Sequence, residues 1–155
     1  MDFSLVSSIG VKIQGRVGCL KSFQMLLYVD TNHGGVDLIK EFGKLRQLRH
    51  LGLKNLTSGI GRALCGFIEN MNNLEFLDVS LISKEEIIDL NHISSPPQRL
   101  QELYIKGHLD KLLNWIPKLQ HLVCVNILWS RLSEDPLKIF EKNYKGNWKG
   151  FMWLY

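Results

Sequence analysis

Residues 45 to 57 read LRQLRHLGLKNLT, with leucine at positions 45, 48, 51, 53 and 56. Steps of three, three, two and three match neither the 3.6-residue period of a helix nor the strict alternation of a strand. The step of two belongs to extended chain, in which alternate side chains share a face. The threes belong to a turn that feeds it. Leu51 and Leu53 therefore read as the inward residues of a short strand, with Gly52 and Lys54 pointing outward.

The rhythm returns along the chain. LKSFQMLLYVDT supplies Leu20, Phe23, Leu26 and Tyr28, and LEFLDVSLI supplies Leu74, Leu77, Val79 and Ile82. LQELYIKGH adds Leu100, Leu103 and Ile105, and LQHLVCVNILWS adds Leu119, Leu122, Val125 and Ile127. The equivalents of Leu51 are Leu26, Leu77, Leu103 and Val125, at successive gaps of 25, 26, 26 and 22 residues. A bundle of amphipathic helices would leave 3.6-residue stripes but no such fixed return. A period of about 20–29 residues is that of a leucine-rich-repeat solenoid. The expected fold is therefore α/β: a short curved parallel sheet of about five repeats, with helices or irregular turns on its convex side.

The stretches between strands carry helix signals. GGVDLIKEFGKL places Val36, Ile39 and Phe42 at helical spacing, and IGRALCGFIENM places Ile60, Leu64, Phe67 and Ile68 on one side. SKEEIIDL has Ser83 and Glu86 in capping-box spacing, which predicts a helix start. SSPPQ at 94–98 would stop that helix, because proline lacks an N–H and restricts its predecessor. In EDPLKIFEKN, Asp135 suits an N-cap and Pro136 a first turn. The asparagine that often follows the strand in such repeats is missing, its positions holding Thr31, Leu56, Ile82, His108 and Ser130. Without an asparagine ladder the repeats are expected to be irregular.

Composition narrows the chemistry. With 155 residues, 45% hydrophobic and 22% charged, the chain can bury one domain core. No apolar run approaches the ~20 residues of a membrane helix, and MDFSLVSSIG lacks the positive start of a secretory signal. Cys19, Cys65 and Cys124 are an odd, scattered set, which fits a reducing, cytoplasmic setting and neither a disulfide framework nor a zinc site. The net charge of +4 is spread over mixed-sign stretches such as KEFGKLRQLRH. His33, His50, His92, His108 and His121 fall in different repeats, with no serine or cysteine beside a positioned base. No catalytic residue, metal site or cofactor is expected, and no enzymatic activity.

What is left for function is a surface. Strand residues between the inward ones face the inside of the arc: Leu27, Val29, Gly52, Lys54, Asp78, Ser80, Tyr104, Lys106, Asn126 and Leu128, followed by Trp129. Concave solenoid faces bind protein partners. Of these residues Lys54, Asp78, Ser80, Tyr104, Lys106, Asn126, Leu128 and Trp129 are the candidate contacts, with Tyr104, Lys106 and Trp129 as anchors. The repeat domain occupies residues 1–138. Residues 139–155 form an atypical tail in which lysines alternate with Phe140, Tyr144, Trp148, Phe151, Trp153 and Tyr155. Its first reading is a cover for the last repeat. A stretch of reading frame left by truncation and a segment binding nucleic acid are the alternatives.

Beyond the leucines, the wording itself is specific. LLYVDTNHGGVDLIKEFGKLRQLRHLGLKNLTSGIGRALCGFIENMNNLEFLDVS, SSPPQRLQELYIKG and NWIPKLQHLVCVNILWSRLSEDPLK closely resemble plant nucleotide-binding leucine-rich-repeat disease-resistance proteins of the coiled-coil subclass. The resemblance covers roughly residues 9 to 138. It implies a partner that is a pathogen effector, a guarded host protein or another domain of the receptor, and a part in keeping the receptor inactive. The family's ATP/ADP switch is not implied here, because no GxxxxGK[ST] loop is present and GIGRALCG has the wrong spacing. The ending IFEKNYKGNWKGFMWLY departs from a further repeat, so the chain reads as a truncated piece of a longer receptor.

Overall fold

The computed structural model describes residues 22–132 apart from His33, together with Asp135, Lys138, Lys142 and the backbone of residues 151–154. The described chain runs β1 (Met25–Asp30), α1 (Gly35–Phe42), β2 (His50–Leu56), α2 (Gly61–Glu69), β3 (Phe76–Leu81), β4 (Glu102–Lys106), β5 (Cys124–Leu128) and β6 (Phe151–Leu154). All neighbouring strands pair parallel, in chain order, as one open six-stranded sheet.

The ladder is the predicted rhythm in three dimensions. Leu26, Leu51, Leu77, Leu103 and Val125 are register partners in succession, and the next inward row is Val29, Leu53, Val79, Ile105 and Ile127. Every one of these side chains is buried, and burying each contributes about 2 kcal/mol. The turns repeat too. Leu48 N donates to Leu45 O, Leu74 N to Met71 O and Leu100 N to Pro97 O. At each strand start one carbonyl accepts two N–H groups of the next repeat: Gln24 O, Arg49 O, Glu75 O and Gln101 O.

Behind the sheet, α1 buries Leu38, Ile39 and Phe42, while Val36 is left exposed. Ile60, Leu64, Phe67 and Ile68 are all buried along α2 and the 3-10 turn before it, as their spacing predicts. Phe42 and Phe67 pack at 6.3 Å between ring centres and join the two helices. The backing of β3 to β5 is irregular among the described residues, with a 3-10 turn at Ile116–Lys118. Trp115 is fully buried there and its Nε1 donates to Leu90 O at 2.8 Å, tying one repeat to the previous one.

Three expectations are corrected. SKEEIIDL forms no helix: Glu86 accepts from Ser58 N at 2.8 Å in the preceding repeat, and Ile87 bridges His108 in the following one. Contacts on both sides hold that segment open, and an isolated eight-residue helix is too short to resist them. Tyr28 is not an inward residue, because two residues of β1 oppose one of β2 between Leu26 and Val29, so Val29 turns into the core instead of facing out. A similar extra residue in β2, where Lys54 and Asn55 oppose Ser80, brings Leu56 opposite Leu81; Leu81 is buried by alternation with Leu77 and Val79, and Ile82 is exposed.

Thr31, at the asparagine position, donates its hydroxyl to Lys54 O at 2.9 Å and supplies one rung of the missing ladder. Leu20, Cys19, His33 and the Pro136 helix start lie outside the described residues, as do Phe140, Tyr144, Trp148 and Tyr155 of the tail.

Candidate functional site

Parallel sheets ordinarily bury both faces. Here one face packs on the core and the other is open, which is the arrangement of a solenoid. The outward alternation begins one residue before the ladder leucines, so the face has three rows across the strands. They begin at His50–Phe76–Glu102–Cys124, Gly52–Asp78–Tyr104–Asn126 and Ser80–Lys106–Leu128.

An aromatic stripe crosses the strand starts. His50 and Phe76 lie 5.9 Å apart, and Phe76 and Tyr104 5.3 Å, between ring centres. Tyr104 Oη donates to Glu102 Oε2 at 3.0 Å and accepts from Cys124 Sγ at 3.7 Å. The adjacent Cys124 sulfur, burial and the Glu102 carboxylate, which accepts the phenol hydrogen, all raise the Tyr104 pKa. Its polar tip is thus satisfied within the face, and the ring is what it offers a partner. His50, Phe76, Glu102 and Cys124 were not among the residues expected from sequence. The signal is present, since each stands two positions before a predicted outward residue, but the leucine rhythm marks the strand only from the leucine onward.

A polar cluster lies nearer the strand ends. Lys54 Nζ is 3.8 Å from Asp78 Oδ2 and 5.3 Å from the Tyr28 ring centre. Ser80 accepts from Lys54 Nζ and donates to Asp78 Oδ1, both at 3.5 Å. Burial raises the Asp78 pKa, opposed by Lys54, by the Ser80 hydrogen bond and by Lys106. Beyond it, Lys106 Nζ stands 4.2 Å and Lys84 Nζ 5.5 Å from the Trp129 ring centre. Trp129 has φ 65°, a left-handed conformation that bulky residues rarely adopt. Lys84 follows β3 in the loop whose capping-box spacing predicts a helix start, so strand alternation does not place it on this face.

The expected residues therefore divide. Lys54, Asp78 and Ser80 come together, as do Lys106 and Trp129, with Leu128 beside Lys106 in register. Tyr104 joins the aromatic stripe. Ser80 is 6% exposed and hydrogen-bonded within that cluster. The buried Oδ1 of Asn126 has no hydrogen-bond partner among the described residues. Gly52 is buried: a Cβ there would stand 3.2 Å from Tyr28 N and 3.3 Å from Leu27 Cδ2, so the close approach of the β1 bulge calls for glycine.

No cluster of three or more His, Cys, Asp or Glu that could hold a metal occurs among the described residues. Burial pushes the Cys65 thiol up to about 11, helped by the Asp89 and Glu69 charges, so it is unreactive at neutral pH. Among the described residues no helix is long and apolar enough to cross a membrane.

Comparison with known proteins accords with this geometry. Residues 4–142 match the family described as leucine-rich repeat region. The chain is also similar to Disease resistance protein RPM1 of Arabidopsis thaliana, at 24% identity over 129 residues. That match takes in 83% of this chain but 14% of the relative, so the chain spans about a seventh of the relative's length.

Proposed function

This chain belongs to the leucine-rich repeat family, and from that premise we propose that it is the partner-recognition module of a plant immune receptor. It acts in the cytoplasm without enzymatic activity, by protein–protein contact through the open face of its sheet. Its partners are a pathogen effector, a guarded host protein or another domain of the receptor, and its contacts help to keep the receptor inactive. The carrying observation is the solvent-facing sheet that sets the His50–Phe76–Tyr104 stripe beside the Lys106–Trp129–Lys84 cluster. Aromatic anchors beside long cationic side chains are the composition of energetically dominant contact residues. Similarity to a disease-resistance protein supports the biological setting.

An affinity pull-down from plant extract, comparing the chain with a Tyr104→Ala/Trp129→Ala variant of unchanged circular dichroism, tests the reading. The variant is expected to lose one or more partners. Identical partner sets would remove the open face as the recognition surface.

A further inference from the structure

The ladder does not stop at the fifth strand. Cys124, Val125, Asn126 and Ile127 pair parallel with Phe151, Met152, Trp153 and Leu154, without a bulge. Met152 thereby continues the register row of Leu26, Leu51, Leu77, Leu103 and Val125. Leu154 continues that of Val29, Leu53, Val79, Ile105 and Ile127. Met152 comes 27 residues after Val125, within the period of a leucine-rich repeat. Between the two strands Lys138 and Lys142 are helical, as α1 and α2 lie between the first three strands. Parallel strands at a fixed period, joined through a helix, are the unit of such a solenoid.

The leucine rhythm does not announce this strand. Three residues before the ladder position, where Leu48, Leu74, Leu100 and Leu122 stand, the chain has Lys149. The family match likewise ends at residue 142. Register also assigns the other two residues of β6. Phe151 joins the row of Met25, His50, Phe76, Glu102 and Cys124, and Trp153 that of Gly52, Asp78, Tyr104 and Asn126. In these two rows β3 and β4 supply one ring each, Phe76 and Tyr104, β5 supplies none, and β6 supplies two. Lys142, Lys145 and Lys149 fall outside the strand, so what β6 adds to the rows is aromatic and uncharged. That composition suits a protein contact better than a polyanion, which needs cations along its path.

We propose that β6 is the strand of a sixth repeat, and that Phe151 and Trp153 are specificity-determining positions of the recognition face. They extend the aromatic stripe of Phe76 and Tyr104 toward an apolar patch on the same protein partner. The second half of this assignment rests on the open face as the recognition surface; the first half does not.

Threonine pairs placed at alternate positions of the whole chain test both halves, since threonine keeps strand propensity. Met152→Thr/Leu154→Thr, in the rows that are buried elsewhere, is expected to lower the melting temperature by about 5–10 °C. Met152→Ile/Leu154→Ile should restore it. Phe151→Thr/Trp153→Thr should leave it within about 2 °C and lose the partners that Tyr104→Ala/Trp129→Ala loses in the pull-down, with Phe151→Tyr/Trp153→Phe keeping them. Equal effects of the two threonine pairs on melting, or no effect of either, would overturn the sixth repeat. If Phe151→Thr/Trp153→Thr keeps every partner that Tyr104→Ala/Trp129→Ala loses, the two positions lose their role and the recognition face stands. If Tyr104→Ala/Trp129→Ala loses none, the recognition reading itself falls, while the melts still decide the sixth repeat. Salt-sensitive binding of oligo(dT) that Phe151→Thr/Trp153→Thr abolishes would make these aromatics a nucleic-acid contact and overturn their protein role.

Discussion

Single carboxylates play opposite parts in this molecule. Glu69 accepts from Ser94 N, from Ser94 Oγ at 2.8 Å and from Ser95 N at 3.2 Å, joining α2 to the next repeat. Those bonds, the Ser94 backbone N–H first, hold its pKa below the usual 4.5, and the Ser58 N–H does the same for Glu86. A folded pKa below the unfolded one means stability that is complete above about 4.5 and lost as pH falls through the lower folded value. Glu69→Ala should therefore lower stability at pH 7 by about 0.5 kcal/mol, solvent screening discounting these exposed bonds, with a smaller difference at pH 3, as thermal melts at the two pH values would show. Asp78 has the reverse sign. Its folded pKa lies above 3.8 because burial outweighs Lys54, so its contribution turns unfavourable as pH rises through that raised value. Asp78→Asn is expected to leave the melting temperature at pH 7 unchanged or raise it, and to converge on the parent toward pH 3. A clear drop at pH 7 would mean that the Lys54 pair outweighs burial.

Strands were more legible than what lies between them. Leu51 and its equivalents are register partners across five strands because each must be buried and each is reached by the same turn. The bulges were not legible. In LLYVD either Tyr28 or Val29 can follow Leu26 inward, and the choice is made by how β1 sits on Gly52. The missing 83–90 helix has the same origin, since Glu86 and Ile87 are taken by neighbouring repeats. Close packing also sets Gly107, directly after β4, where a Cβ would lie 2.2 Å from Leu81 Cδ1 and 2.6 Å from its Cγ. Gly107→Ala should cost about 1–3 kcal/mol, read from the urea midpoint at constant slope. Leu81→Ala in the same chain should relieve part of the clash. Were Gly107→Ala neutral, the inter-repeat packing at this joint would be looser than described.

At the scale of the whole molecule, a solenoid is stabilised by its neighbours and vulnerable at its ends. Phe151–Leu154, inside the tail, pair parallel with Cys124–Ile127 as a sixth strand. Deleting residues 149–155 would strip β5 of that partner and expose a backbone edge, which invites association. The truncated chain is expected to melt lower and to sediment as larger species. A monomer of unchanged melting temperature would show that β6 contributes little to closing the sheet.

The candidate face was partly legible for the same reason as the strands. Alternation placed Lys54, Asp78, Tyr104 and Lys106 outward, but it could not foresee that Lys84 would reach Trp129 from a loop 45 residues earlier. Sequence by itself determined the solenoid, its period and its inward rows, because burial demands a fixed spacing that each repeat satisfies locally. Tertiary structure alone decided which side chains share the open face and how they pair. Those contacts join residues from different repeats, so register, bulges and burial set them, and none of these is written in the spacing of the leucines.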